Sequence, residues 1–362
     1  MAAQHKMPTV PEHGTVCDIG GTRMSTSILK DLHRLFDEVA SGCGGGGQHP
    51  TMPDELLYND EGLAIWADII FTPQFYQTRD EIRLFEKNSP EIATFIPDGA
   101  VMIDLGAGDM RKVNFLLQQL ASRGQKTTYL ALDISKKSLT SNLADLSPAH
   151  DGGSVLMAGL WGDFKAGLDF CQRLPSPRVF LSLGSVLFND PWARAVASLR
   201  DWAALMRPGD LILAGMDGHD VSSRKVWDAY HSHPDLFDRF FRNGLAYANE
   251  LLGEAVFDPE DWDVRAEIER DEKRHRFFLK ARREVAVPGG GALREGLELD
   301  WFDAHKRNEH DVLKMCAEAG LEVIRSWAID GSEMRHYLIR LDPAAAAASS
   351  DESDSAISVS GV

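Results

Sequence analysis

Apolar residues in the first quarter of the chain recur at helical spacing. Over residues 25–39, Ile28, Leu29, Leu32, Leu35, Phe36 and Val39 fall on one stripe, the period of an amphipathic helix. The same spacing predicts helices over residues 60–71 and 78–95. From residue 100 the rhythm changes. Short apolar runs at 100–105, 127–132, 154–157, 178–183 and 210–216 alternate with helical stretches at 111–122, at 136–146 and from Pro191, a residue suited to a first helical turn. Strands alternating with helices in this way predict an α/β fold built on a parallel sheet.

Beyond residue 217 the alternation stops. Residues 222–230 and 236–252 predict helices, and 262–270 with 275–287 predict a hairpin whose charge run, 267–274, is expected to be a solvated tip. A helix over 309–320 then precedes strands at 321–329 and 334–341 around the turn Asp330-Gly331-Ser332. Residues 220–307 therefore read as an insertion that packs with the N-terminal helices as a second, smaller domain. Residues 1–15, the glycine run 42–47 and the alanine- and serine-rich tail 343–362 carry no apolar period and are expected to be disordered.

Composition narrows the class. With 44% hydrophobic and 26% charged residues, the chain can bury a full core and stay soluble. A net charge of −17 argues against a nucleic-acid partner, which requires a concentrated basic face, and against anionic membranes. No apolar run approaches a membrane span, and the opening MAAQHKMPTV lacks a signal core. Cys17, Cys43, Cys171 and Cys316 are scattered without a CxxC pair, so neither a zinc ribbon nor a disulfide framework is indicated. A cytoplasmic, monomeric protein acting on a small molecule, without a metal, is the expectation.

The first strand of the alternating region ends in Asp104-Leu105-Gly106-Ala107-Gly108-Asp109. Gly106 and Gly108 let the backbone bend and approach a ligand closely. A dinucleotide fingerprint needs a third glycine that lets the helix come near, and none follows Gly108 in Asp109-Met110-Arg111. S-adenosylmethionine has no pyrophosphate and carries a sulfonium charge, so the third glycine is dispensable, and Asp104 is placed to favour its cationic, amino-bearing end. Asp133, 133 − 104 = 29 residues later at the next strand tip, suits the ribose hydroxyls. Asp163 and Phe164 of Gly162-Asp163-Phe164 suit the adenine amino group and ring, although Asp163 serves equally well as a helix N-cap. An NAD-linked oxidoreductase is the structural rival. The missing glycine and the terminal hairpin, the usual finish of class I methyltransferases, favour S-adenosylmethionine.

Several separated motifs then resemble one family, the α-amino-acid N-methyltransferases that include the ergothioneine-pathway histidine enzymes and the dimethylallyltryptophan enzymes. They are Tyr58-Asn59-Asp60-Glu61-Gly62, the segment Phe75-Tyr76-Gln77-Thr78-Arg79-Asp80-Glu81, the loop from Asp104 to Lys112, Leu132-Asp133-Ile134-Ser135, Gly162-Asp163-Phe164 and Gly184-Ser185-Val186-Leu187-Phe188-Asn189. The resemblance implies a class I, Rossmann-like methyltransferase with an inserted substrate domain. The cofactor domain would be residues 80–218 plus 308–342, and the substrate domain 16–79 plus 219–307. It further implies that Gly106, Lys112, Asp133, Asp163 and Phe164 contact the cofactor. Asn189 and Tyr230 would hold the amino acid's carboxylate or amine, and Tyr58 and Tyr76 would line its pocket, with Tyr58 a candidate base.

This chain departs from the family where the histidine enzymes carry E-x-S-x-K-F. Counting back from Ala319-Gly320-Leu321 puts Phe302 at the Glu and Ala304 at the Ser, and Phe277 at the pocket methionine. Losing those polar partners penalises an imidazole, so an aromatic or apolar, tryptophan-like side chain is expected, stacking on Phe277 or Phe302. A histidine N-methyltransferase of the ergothioneine type, and a non-catalytic protein that binds S-adenosylmethionine, are the alternatives. His219, His231 and His233 cluster in sequence, but the spacing of the last two points them to different faces.

Overall fold

A computed structural model describes residues 10–41 and 49–343. The expectations of disorder for 1–9, 42–47 and 344–362 lie outside the described residues. Short strand β1 (Val16–Asp18) and helix α1 (Met24–Ala40) precede α2 (Asp60–Ile70) and α3 (Tyr76–Phe95). The alternating region follows: β2 (Ala100–Leu105), α4 (Arg111–Ser122), β3 (Thr127–Asp133), α5 (Lys136–Leu146), β4 (Val155–Trp161), α6 (Phe164–Cys171), β5 (Arg178–Ser182), α7 (Trp192–Leu205) and β6 (Leu211–Asp217). Next come α8 (Arg224–His231), α9 (Pro234–Leu252), β7 (Trp262–Glu269), β8 (Arg274–Ala281), β9 (Val285–Val287), β10 (Gly291–Leu293) and β11 (Glu298–His305). Helix α10 (Glu309–Glu318) and strands β12 (Leu321–Ala328) and β13 (Met334–Leu341) end the fold.

The central sheet has the order β1-β4-β3-β2-β5-β6-β13-β12. Every pair from β1 to β6 is parallel, and β13 runs antiparallel to both β6 and β12. The order reverses at β2, whose neighbours β3 and β5 carry their helices on opposite faces. Such a switch point opens a crevice at the strands' carboxyl ends. One face of the sheet is covered through Val113, Leu116, Leu139 and Phe85, the other through Phe170, Val196, Leu199 and Val312. A third core, with Leu32, Phe36, Ile65, Phe240, Phe241, Phe277 and Trp301, joins α1, α2, α8 and α9 to the sheet β11-β8-β7. No described helix is long and apolar enough to cross a membrane.

Three expectations need correcting. Residues 10–15, assigned to a disordered arm, are tied to the edge of β4: Gly14 N–H donates to Met157 O at 2.8 Å, and Thr15 O accepts from Gly159 N–H at 2.8 Å. Strand β1 continues this pairing and belongs to the central sheet, not to the substrate domain. Three residues are too few to show a period. The charge run at 267–274 is not a purely solvated tip, because Arg274 and the following Arg276 are only 8% and 2% exposed. Arg274 Nη1 donates to Asp303 at 2.9 Å, and Arg276 Nε to Asp300 at 2.6 Å. Asp300 and Asp303 sit on β11, a strand the apolar pattern hides because a bulge between Asp300 and Phe302 breaks its alternation.

Candidate active site

Strand β2 hands over to a left-handed bend, with φ of 69° at Gly106 and 47° at Gly108. The amides of Gly106 and Ala107 both donate to Leu132 O at 3.0 Å, which lays the bend across the end of β3. Asp133 stands at that end. Its Oδ2 accepts from Gly108 N–H at 2.9 Å and its Oδ1 from Ser135 N–H at 3.0 Å. Burial nevertheless raises its carboxyl. A methyl group at Gly106 would lie 3.6 Å from the ring of Phe164. That ring is 47% exposed, an unusual state for phenylalanine and a free apolar surface beside the bend. Asp163 caps α6 by accepting from Ala166 N–H at 2.7 Å. Gly106, Gly108, Asp133, Asp163 and Phe164 thus gather at one corner of the switch point.

Two residues assigned to direct cofactor contact sit otherwise. Asp104 is 1% exposed, and its Oδ2 accepts from Tyr129 O–H at 2.7 Å. Burial pushes its carboxyl up to about 6. It shapes the bend from beneath. Lys112 Nζ pairs with Glu81 Oε2 at 2.8 Å. Burial opposes a charge on Glu81, but Lys112 and His336 outweigh it and hold the carboxyl at about 2. Glu81 Oε1 also accepts the Gly184 N–H at 2.9 Å, so α3 and α4 together grip the turn after β5. That turn is strained: Gly184 and Ser185 have φ of 74° and 66°. A non-glycine residue there costs energy that functional sites characteristically hold. Ser185 Oγ accepts from Asp217 N–H at 3.0 Å, linking the turn to the tip of β6.

The turn leads to Asn189. β3 and β5 flank β2, so Asp133 and Asn189 occupy the same edge of the sheet. Yet the amide of Asn189 is already engaged: Nδ2 donates to Asp303 O at 2.8 Å and Oδ1 accepts from His305 N–H at 2.7 Å. It clamps β11 to the cofactor domain, where the expectation made it a free ligand group. Beside this clamp lies a buried polar cluster. Tyr76 O–H donates to Asp217 Oδ2 at 2.5 Å, and Asp217 also meets Lys306 Nζ at 2.8 Å and His219 Nδ1 at 2.6 Å. Lys306 Nζ and Gln77 Nε2 both donate to the Tyr230 oxygen, at 3.2 and 2.8 Å.

An aromatic wall completes the site. Phe302 and Phe277 are cross-strand partners with ring centroids 5.7 Å apart. Phe302 lies 5.6 Å from Trp66, and Phe277 lies 6.1 Å from Tyr230. Tyr58 packs on Phe240 at 5.6 Å. Burial, with Asp54 and Tyr230, pushes its phenol well above the ordinary value. Of the three histidines, His231 meets His275 (2.9 Å between Nε2 atoms), His233 meets Gln74, and His219 meets Asp217. Glu81, Asp217, Lys306 and Asp54 escaped the sequence reading. Glu81 lay within a quoted motif without a role, and Asp217 stands at a strand's carboxyl end, a position that is itself a signal. Asp54 lies on the 3-10 turn Asp54–Tyr58 and is exposed to solvent. Desolvation, then Glu55, Asp303 and Asp190, pushes its carboxyl well above the carboxylate range.

A parallel sheet with two final antiparallel strands, a two-glycine bend after β2 and a carboxylate at the tip of β3 define a class I methyltransferase that uses S-adenosylmethionine. The chain belongs to the family of histidine-specific, S-adenosylmethionine-dependent methyltransferases, whose model matches residues 36–341. It is similar to ergothioneine biosynthesis protein 1 of Neurospora crassa, with 32% identity over 92% of this chain, and spans 37% of that protein's length. It is also similar to the 4-dimethylallyltryptophan N-methyltransferase easF of Arthroderma benhamiae (29% identity, 81% of this chain and 90% of that one). N-methyltransferase imqF of Aspergillus flavus is 26% identical over 81% of each chain.

Proposed function

We propose that the protein methylates the α-amino group of an aromatic or apolar amino acid. The observation that carries this reading is the pairing of Phe302 with Phe277 on the face that also meets Trp66 and Tyr230. A flat apolar side chain gains area and ring stacking on such a wall, and an imidazole finds no donor or acceptor on Phe302 or Ala304. S-adenosylmethionine, when bound, supplies an electrophilic methyl group. Gly106 leaves the space for it, Asp133 accepts from its ribose hydroxyls, and the exposed face of Phe164 takes the adenine ring. Holding the amine in line with that methyl supplies most of the acceleration, because nitrogen attack needs no covalent help from the protein. The names of the relatives support nitrogen as the acceptor atom.

A second reading, L-histidine as substrate, draws on the hydrogen-bonded pair His231–His275, since His275 lies on the same strand face as Phe277 and its Nδ1 is buried without a partner among the described residues. The family's description as histidine-specific points the same way. Incubation with labelled S-adenosylmethionine and single L-amino acids, read by mass spectrometry, separates the two. Label on L-tryptophan or its alkylated derivatives, with L-histidine at least ten-fold slower, is expected. Faster transfer to L-histidine favours the second reading, and no transfer to any amino acid overturns both.

A further inference from the structure

The buried polar cluster has an asymmetry that the aromatic wall does not explain. Tyr76 spends its proton on Asp217, and its oxygen receives no donor among the described residues. Tyr230 is the reverse. Its oxygen accepts from Gln77 and from Lys306, and its own proton has no acceptor among the described residues. Both phenols are nearly fully buried, where an unspent donor or acceptor is costly. The arrangement is one continuous relay, Tyr76 O–H to Asp217 to Lys306 to the Tyr230 oxygen. Lys306 is 2% exposed, and a buried ammonium keeps its charge only where a carboxylate such as Asp217 faces it.

Resting on the reading of an α-amino acid as substrate, we propose that the Asp217–Lys306 pair fixes the two tyrosines in opposite hydrogen-bonding polarity and thereby reads the amino acid's head group. Tyr76 is left able only to accept, and an amine or ammonium donates. Tyr230 is left able only to donate, and a carboxylate accepts. A zwitterionic head supplies both in one ligand, while an amine without a carboxylate supplies one. Lys306, Asp217 and Gln77 are positioning residues that act through the tyrosines. Without Lys306 the Tyr230 oxygen loses one of the two donors that fix its proton, and the donor is no longer held for the substrate.

The test compares L-tryptophan with tryptamine, and L-histidine with histamine, on the full chain, with S-adenosylhomocysteine titration as the check of fold. Lys306→Met and Tyr230→Phe are each expected to raise KM for the amino acid roughly ten- to hundred-fold and leave KM for the matching amine within about two-fold. The double variant should be no worse than either single one, because both act on the same O–H. Lys306→Arg should restore part of the preference. Should Lys306→Met lose S-adenosylhomocysteine binding, Gln77→Met carries the test, since it removes a donor to Tyr230 and leaves Asp217 untouched. Equal losses on amino acid and amine, with S-adenosylhomocysteine binding intact, overturn the proposal. Wild-type protein that methylates no L-amino acid sinks the functional reading beneath it, a result distinct from an unchanged preference in the variants.

Discussion

Glu81 Oε2 stands 2.8 Å from Lys112 Nζ on a side chain only 1% exposed, and the same carboxylate holds the amide of Gly184 at 2.9 Å. One acid thus joins α3, α4 and the strained turn after β5. A Cβ at Gly215 would collide with Glu81 Oε1, so the neighbouring strand is also fitted to it. Glu81→Gln should destabilise the protein by about 2 kcal/mol, because it leaves the part-buried Lys112 ammonium unpaired. The pH dependence has a fixed sign. The folded carboxyl is depressed from 4.5 to about 2, so its contribution is complete above 4.5 and is lost as pH falls towards 2. Chemical denaturation at pH 7 and at pH 3.5 checks this: wild type should lose more stability than the variant across that interval. Parallel losses would show that the pair contributes nothing.

Cofactor affinity should rest on Asp133. Asp133→Ala leaves the N–H groups of Gly108 and Ser135 without their acceptor and removes the ribose partner together. Isothermal titration with S-adenosylhomocysteine should show a roughly ten- to hundred-fold weaker Kd. Gly106→Ala should weaken it by a route independent of charge, since an L-residue at φ 69° costs about 1 kcal/mol or more. Unchanged binding in both variants would remove the cofactor from this corner of the sheet.

The cofactor half was legible in the sequence because its chemistry is local. Two glycines, a following helix and an acid at the next strand tip declare themselves within 30 residues or so, and β2, α4, α5 and β13 fall where the apolar period puts them. The substrate half was legible only through family motifs, and its roles shifted. Asn189 has an amide that two β11 backbone groups already use, and β11 itself was hidden by a bulge. Lys112 was expected at the cofactor and meets Glu81, a partner 31 residues earlier. Asp217 and Lys306 meet across a sequence separation of 306 − 217 = 89, and no spacing rule brings such a pair together before the sheet is assembled. Contacts of that range are decided by topology.

Side-chain selectivity should follow Phe302 and Ala304. In the register of β11 they face Phe277 and His275, so both positions look onto the aromatic wall. Phe302→Glu combined with Ala304→Ser gives the wall an acceptor and a hydroxyl for an imidazole and removes a stacking ring. The ratio of kcat/KM for L-histidine over L-tryptophan should rise by roughly a hundred-fold or more, because polar partners discriminate more sharply than apolar area. A ratio moved less than two-fold in a folded, cofactor-binding double variant would place the substrate's side chain elsewhere.

The proton that the amine must lose needs an acceptor that is free near neutral pH. Burial and Asp217 push the phenol of Tyr76 up, and Tyr58 is raised likewise, so neither gives a phenolate near neutrality. Asp217 is held below the carboxylate range by Lys306 and His219 despite its burial, so it does not take a proton either. Asp54 alone among these is displaced in the useful direction, by desolvation and by the charges of Glu55, Asp303 and Asp190. A raised carboxyl favours the unfolded state once pH exceeds the unfolded value of 3.8, since the folded form binds its proton longer. Asp54→Asn should therefore stabilise the protein at pH 7 and leave stability near pH 3 unchanged. The gain is small, because the side chain keeps solvent contact. Turnover should move the other way: kcat falls, and the acid limb of its pH profile, set in wild type by protonation of Asp54, disappears. Thermal denaturation and a kcat–pH series on the same two proteins decide it. An acid limb that survives in Asp54→Asn assigns proton removal to solvent.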